Sequence, residues 1–161
     1  MGTPRAGRWS DVAGIQLRSH AFHDHDLMPE RFSRPGGNTS PPLEWSGMPH
    51  DTEEVVLLCE DPDAPDGTFL HWLVTGIDPT ASGVPEGNQP PGGLEWHNDF
   101  GEIGYSGPQP PPGDEPHRYF FRLYAVREPL KLPRHPNADD VHRALEGREL
   151  ASGTLVGRFG R

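Results

Sequence analysis

Twenty glycines and twenty prolines punctuate this chain of 161 residues, and where they fall limits what it can build. They sit between short apolar runs and hardly interrupt them. Only 32% of residues are hydrophobic, a value that alone leans toward disorder. The apolar residues are nonetheless grouped, as in Glu53–Asp61 (EEVVLLCED), Thr68–Ile77 (TFLHWLVTGI) and His117–Val126 (HRYFFRLYAV). Short β-type runs separated by turn formers are the layout of a folded, loop-rich β protein.

Periodicity supplies the elements. A first strand is expected over Ile15–Phe22, then a long loop over 23–42, then a short extended piece at Leu43–Gly47. Glu53–Asp61 is almost continuously apolar, which suggests a central strand covered on both faces. Thr68–Ile77 is a second buried strand, rich in aromatic and β-branched residues. In His117–Val126, Tyr119, Phe121, Leu123 and Ala125 share one face, and Phe120, Arg122, Tyr124 and Val126 the other. One helix is expected within Pro136–Leu150. Asn137 is its N-cap, Asp139 and Asp140 lie in its first turn, and Val141 and Leu145 form its apolar stripe. Ser152–Phe159 closes the chain as a strand. No repeat or linker divides the sequence, so residues 1–161 read as one mainly β domain, a β-sandwich with a small helical appendage. Residues 1–14 read as a loosely packed N-terminal segment.

Charge and motifs exclude several classes. The net charge is −10, from 24 acids against 14 bases. That disfavours nucleic acid and anionic membrane surfaces, but not one small anion in a local pocket. The single Cys59 rules out an internal disulfide and reads as a small buried residue. With no secretory signal and no apolar run approaching the roughly 20 residues of a membrane span, the expected location is the cytoplasm. No phosphate loop, nucleophile elbow, HExxH or dinucleotide fingerprint is present. His20, His23, Asp24, His25 and Asp26 fit no common metal spacing and read as a solvated turn, so neither metal nor cofactor is expected.

Three stretches carry candidate chemistry. In DPDAP, Asp61 and Asp63 point to one side if the backbone is extended. They could work as an acid–base pair, or simply bond turn N–H groups. Ala64–Pro65 is a place where a cis bond could form. His71, mid-strand, is either a core histidine satisfied by a backbone carbonyl or a partner of Asp61 across a hairpin. The loop GYSGPQPPPGDEP leads into His117 and Tyr119, and its glycine N–H groups are suited to an anion. The whole span 79–116 has little periodicity, and loops so long are rare unless they have a task.

Five of these pieces occur together: GGNTSPPLEWSGMP (Gly36–Pro49), DPDAP (Asp61–Pro65), HWLVTGI (His71–Ile77), NDFGEIGYSGPQPPPG (Asn98–Gly113) and HRYFFRLYAV (His117–Val126). In that order and spacing they resemble the phosphatidylethanolamine-binding protein family, which includes the Raf kinase inhibitor protein, and especially its short bacterial branch. The resemblance implies a β-sandwich in which a large central sheet is flanked by a smaller sheet and by one or two short helices. It implies a cavity that binds phosphate, a carboxylate or a phospholipid head group through Asp61, His71, Gly107, Pro108, His117 and Tyr119, with Pro65 and Trp72 matching wall positions more loosely. Gln109 stands where bacterial relatives often have a cysteine, and the long C-terminal helix of eukaryotic members is missing. The expected function is anion binding by a ligand-dependent regulator of a kinase or protease, and not efficient catalysis. Asp61 is expected to orient and charge His71. The alternative is a weak hydrolase of phosphoryl or acyl esters with His71 and Asp61 as general base. Relatives suggest a homodimer.

Overall fold

A computed structural model describes residues 14–161. Eight strands and one helix follow in chain order: β1 (Gln16–Arg18), β2 (Leu43–Ser46), β3 (Glu54–Asp61), β4 (Phe69–Ile77), β5 (Gly83–Val84), β6 (Leu94–Glu95), β7 (His117–Val126), α1 (Ala138–Leu145) and β8 (Glu149–Phe159). A 3-10 turn at Glu30–Phe32 lies between β1 and β2. The large antiparallel sheet runs β6-β4-β3-β7-β8, and the small one runs β1-β2-β5. The protein is therefore mainly β, two sheets and a helix. The expectation of a loosely packed segment over residues 1–14 falls, apart from Gly14, outside the described residues.

Period-two alternation divides the large sheet into two cores. On its inner face Leu57, Cys59, Trp72, Val74, Phe121 and Leu123 pack with Leu17, Leu43 and Trp45 of the small sheet. On its outer face Val56, Leu58, Leu70, Leu73, Tyr124 and Val126 pack with Val141 and Leu145 of α1. This is why β3 reads as a continuous apolar run, since both faces are covered. Burying each large side chain contributes about 1.5–3 kcal/mol. A carboxylate enters the outer layer. The buried Glu60 carboxylate accepts from Arg122 Nε at 2.8 Å and faces His142 Nε2 at 2.9 Å, tying helix to sheet. Burial alone would raise its pKa, but those two partners outweigh burial and hold it below the ordinary value.

Two departures from the sequence reading matter. The first strand stops at Arg18 instead of reaching Phe22, because Ser19 Oγ accepts the Ala21 N–H and turns the chain. Residues 14–28 then follow the outer edge of β8. Gly14 and Ile15 donate to Ser152 O, and Met28 donates to Arg158 O. Among the described residues no peptide bond is cis, so Ala64–Pro65 is trans and the turn closes without it.

β4 carries an extra residue. Cys59 pairs with Trp72 and Glu60 pairs with Leu70, so His71 has no partner of its own on β3. This bulge breaks the alternation. Leu70 and Leu73 both face the helix, while His71 joins Trp72 on the inner side. In a regular strand His71 would have faced the helix side, opposite Glu60.

The long span after β4 is ordered because it serves as that strand's missing neighbour. Trp96 N–H donates to Leu73 O, Asp99 N–H to Leu70 O, and Ser106 N–H to His71 O. Farther on, the Gly107 N–H donates to Asn38 Oδ1 at 2.7 Å and Pro108 O accepts the Arg34 N–H at 2.9 Å. A Cβ on Gly107 would overlap the Phe32 carbonyl oxygen.

Two substitutions test this arrangement by thermal or denaturant unfolding. Gly107→Ala should destabilise by about 1–3 kcal/mol, the usual cost of overpacking. Asn137 caps α1 reciprocally with Asp140, so Asn137→Ala should cost about 1 kcal/mol. Unchanged unfolding midpoints would count against both accounts.

Candidate functional site

Where β3, β4 and β7 end together, the structure holds a cavity of about 390 Å³. Its floor is made of Asp61, His71, His117 and Tyr119, and its walls come from the β3–β4 turn, from Asp99–Phe100 and from Gln109–Pro111.

Asp61, the last residue of β3, is only 3% exposed. A carboxylate so buried needs donors. Oδ1 accepts the Asp63 N–H at 2.7 Å, and Oδ2 lies 2.8 Å from His117 Nδ1. The partner of Asp61 is thus His117 and not His71, which corrects the expected pairing. Burial would lower the pKa of His117, but Asp61 and then Asp114 outweigh burial and hold it above the ordinary histidine value. Nε2 of the same ring lies 3.3 Å from Asp114 Oδ2, so a carboxylate faces each nitrogen and favours the imidazolium.

His71 is in the opposite state. Its Nδ1 lies 2.6 Å from the Ser106 carbonyl oxygen, which can only accept, so Nδ1 carries the proton. Burial pulls its pKa down, against smaller raising effects from the Ser106 carbonyl and from Asp61. His71 is therefore neutral at neutral pH, with a lone pair on Nε2. Phe69, Phe100 and Tyr119 surround the ring at centroid distances of 4.9, 5.7 and 5.2 Å. Burial, helped by the charge of Asp61, pushes the Tyr119 phenol far up, so its hydroxyl keeps its proton.

Neighbouring groups hold this floor in place. Asp63 accepts from the Arg118 backbone and from both ends of its guanidinium, a hydrogen-bonded ion pair that lowers its own pKa and braces the turn behind Asp61. Asn98 is buried and fully used. Its Oδ1 accepts the Phe100 and Glu102 N–H groups, and its Nδ2 donates to Gly104 O and Ser106 Oγ. It thereby sets the carbonyl that fixes His71 and places Phe100 on the wall.

Of the residues singled out in the sequence, Asp61, Pro65, His71, His117 and Tyr119 come together at the cavity. Gly107 and Pro108 lie behind it, docked on the Arg31–Asn38 loop, and the rim is built by the next three residues. Trp72 is in the inner core, where its Nε1 donates to Glu95. Cys59 is buried, and burial pushes its thiol well up. Sequence reasoning did not single out Phe69, Asp66, Asp99 or Phe100. Phe69 could have been found, being two residues from His71 near the strand start, whereas the others needed the loop's path. Asp61, Asp66 and Asp99 give the cavity an acidic lining beside its two imidazoles. Burial raises the pKa of Asp99, against the Leu70 N–H that it accepts.

Among the described residues, no three His, Cys, Asp or Glu side chains are placed to share a metal ion. No helix among them is long and apolar enough to cross a membrane.

Comparison with known proteins agrees with this architecture. A family model described as "Phosphatidylethanolamine-binding protein" matches residues 18–160. A UPF0098 protein of Methanothermobacter thermautotrophicus is 41% identical over 152 residues, covering 91% of this chain and 99% of its own. Among solved structures, a phosphatidylethanolamine-binding protein homologue from Chlamydia trachomatis, CT736, superposes with a TM-score of 0.81 at 35% identity, over 92% of this chain and 98% of that one. E. coli YbcL, described as a new member of the mammalian family, gives 0.83 at 30% identity, over 92% and 99%. Two sheets packed around an apolar core and these matches lead to one assignment: the chain belongs to the phosphatidylethanolamine-binding protein family.

Proposed function

We propose that this protein is a binding module for a small ligand bearing a phosphate or carboxylate group, taken up in the cavity above Asp61. The observation that carries this is the pairing of His117 with Asp61 in a buried setting, which keeps a positive imidazolium at the cavity floor. An anion there gains charge-assisted hydrogen bonds, about twice as strong as neutral ones. Tyr119 offers a second donor, and the lone pair of His71 can accept a proton-bearing ligand oxygen. The carboxylates of Asp66 and Asp99 favour a ligand whose anionic group is followed by an ammonium, as in phosphoethanolamine. The description of the matching family model points the same way. In this reading the bound ligand controls association with a partner protein such as a kinase or protease.

A second reading rests on His71. A neutral imidazole with a free Nε2 can act as general base toward water, which would make the protein a weak esterase or phosphoesterase. Thr68 and Tyr119 are the hydroxyl side chains lining the cavity, and among the described hydrogen bonds neither is bonded to a histidine. Binding without turnover is the better-supported role. Generic aryl esters and phosphoesters should therefore show no turnover that His71→Ala abolishes.

Acetate titrated by calorimetry tests the binding reading, because its charge is constant above about pH 6. The raised pKa of His117 keeps it charged to higher pH than a free histidine. Acetate affinity should be full near and below the ordinary histidine pKa and should fall as pH rises through the raised one. His71, its pKa lowered, stays neutral across that window and adds nothing to the slope. His117→Gln should weaken acetate about tenfold and flatten the profile, the effect of losing one hydrogen bond to a charged group. A profile flat in the unsubstituted protein, or unaffected by His117→Gln, would exclude His117 as the anion's donor.

A further inference from the structure

We propose that Asp114 is a built-in competitor at this cavity: its carboxylate holds the Nε2–H of His117, the ring's one donor not committed to Asp61, and an incoming anion must displace it. This rests on the anion-binding reading above and adds to it how the site is held closed to weak ligands.

The two carboxylates on His117 differ in kind. Asp61 is buried, fixed at the end of a central strand, and 2.8 Å from Nδ1. Asp114 sits in the loop before β7, its side chain 48% exposed, at a longer 3.3 Å from Nε2. A pair buried at both ends is costly to break, while one open to water on its carboxylate side is worth less and is more easily exchanged. The loop is built for that exchange. Arg161 Nε donates to Pro110 O at 2.7 Å and Gly113 N–H to Arg161 O at 3.3 Å, which holds the part lining the cavity. Beyond that anchor the Asp114 N–H donates to Pro111 O at 3.3 Å, so the main chain is held and only the half-exposed Asp114 side chain need rotate away. The charged and titratable groups that act on His117 are Asp61 and Asp63 after β3, His71 on β4 and Asp114 on its own loop. Of these, Asp61 and Asp114 are hydrogen-bonded to the ring, and Asp114 is the exposed one at the longer distance. A ligand carboxylate or phosphate would replace it like for like, so part of the binding energy is spent on displacement.

The test compares the full chain with Asp114→Asn, and with Asp114→Ala as a second variant, by NMR titration with acetate at low salt and about pH 6.5. Both variants should bind acetate roughly two- to fivefold tighter, the range expected for removing an exposed ion pair. The His117 ring should titrate at lower pH in both. Glu115→Gln, next in sequence but not bonded to His117, should leave acetate affinity unchanged. If the unsubstituted protein binds acetate and neither variant binds more tightly, Asp114 does not compete and the proposal falls. If no version binds acetate while the His117 titration still moves, the contact is real but the anion-binding reading fails, and the competitor role falls with it.

Discussion

The structure around the cavity turns on one buried carboxylate. Asp61 ends the central strand with almost no access to water, and an unpaired charge there would be costly. Its oxygens are satisfied by a backbone N–H of the β3–β4 turn and by the first residue of β7. Those two bonds bring three segments to one point: the end of β3, the turn braced by Asp63 and Arg118, and the start of β7. The cavity is the space left where they meet. The same carboxylate helps keep the Tyr119 phenol protonated and counters part of the loss of basicity that burial imposes on His71.

The bulge at His71 is the second condition. The extra residue turns His71 away from the helix layer and toward Tyr119, and the loop after β6 then supplies Ser106 as the acceptor that fixes its tautomer. The two histidines of the floor thus hold opposite protonation states for structural reasons. One has a carboxylate on each nitrogen, and the other is enclosed by aromatic rings with a neutral acceptor. One cavity floor thus holds a charged donor beside a neutral acceptor.

How much of this could be read beforehand follows from range along the chain. The central strands were legible because apolar runs and alternation are local properties, and the helix because Asn137, Asp140, Val141 and Leu145 all lie within one short segment. The family resemblance rested on motifs and their order, and it named the four residues that form the cavity floor. What stayed hidden was pairing. Asp61 meets His117 across 56 residues, and nothing local distinguishes that partner from the nearer His71. A bulge adds one residue to a strand without altering its composition, so His71 and Trp72 gave no sign that they share a side. The placement of Gly107 and Pro108 behind the rim depends on contacts with Asn38 and Arg34, far earlier in the chain.

The path of residues 14–28 along β8 has a consequence for handling the protein. β8 is the longest strand and forms one border of the large sheet. Its outward N–H and C=O groups are engaged by that segment at Ser152, Val156 and Arg158. Bare strand borders of this length recruit other chains, and natural proteins cover or interrupt them. A fragment trimmed to begin at Pro29 would keep every residue that lines the cavity and the Arg31–Asn38 loop behind it, yet lose this cover, and the bared border of β8 would favour association between chains.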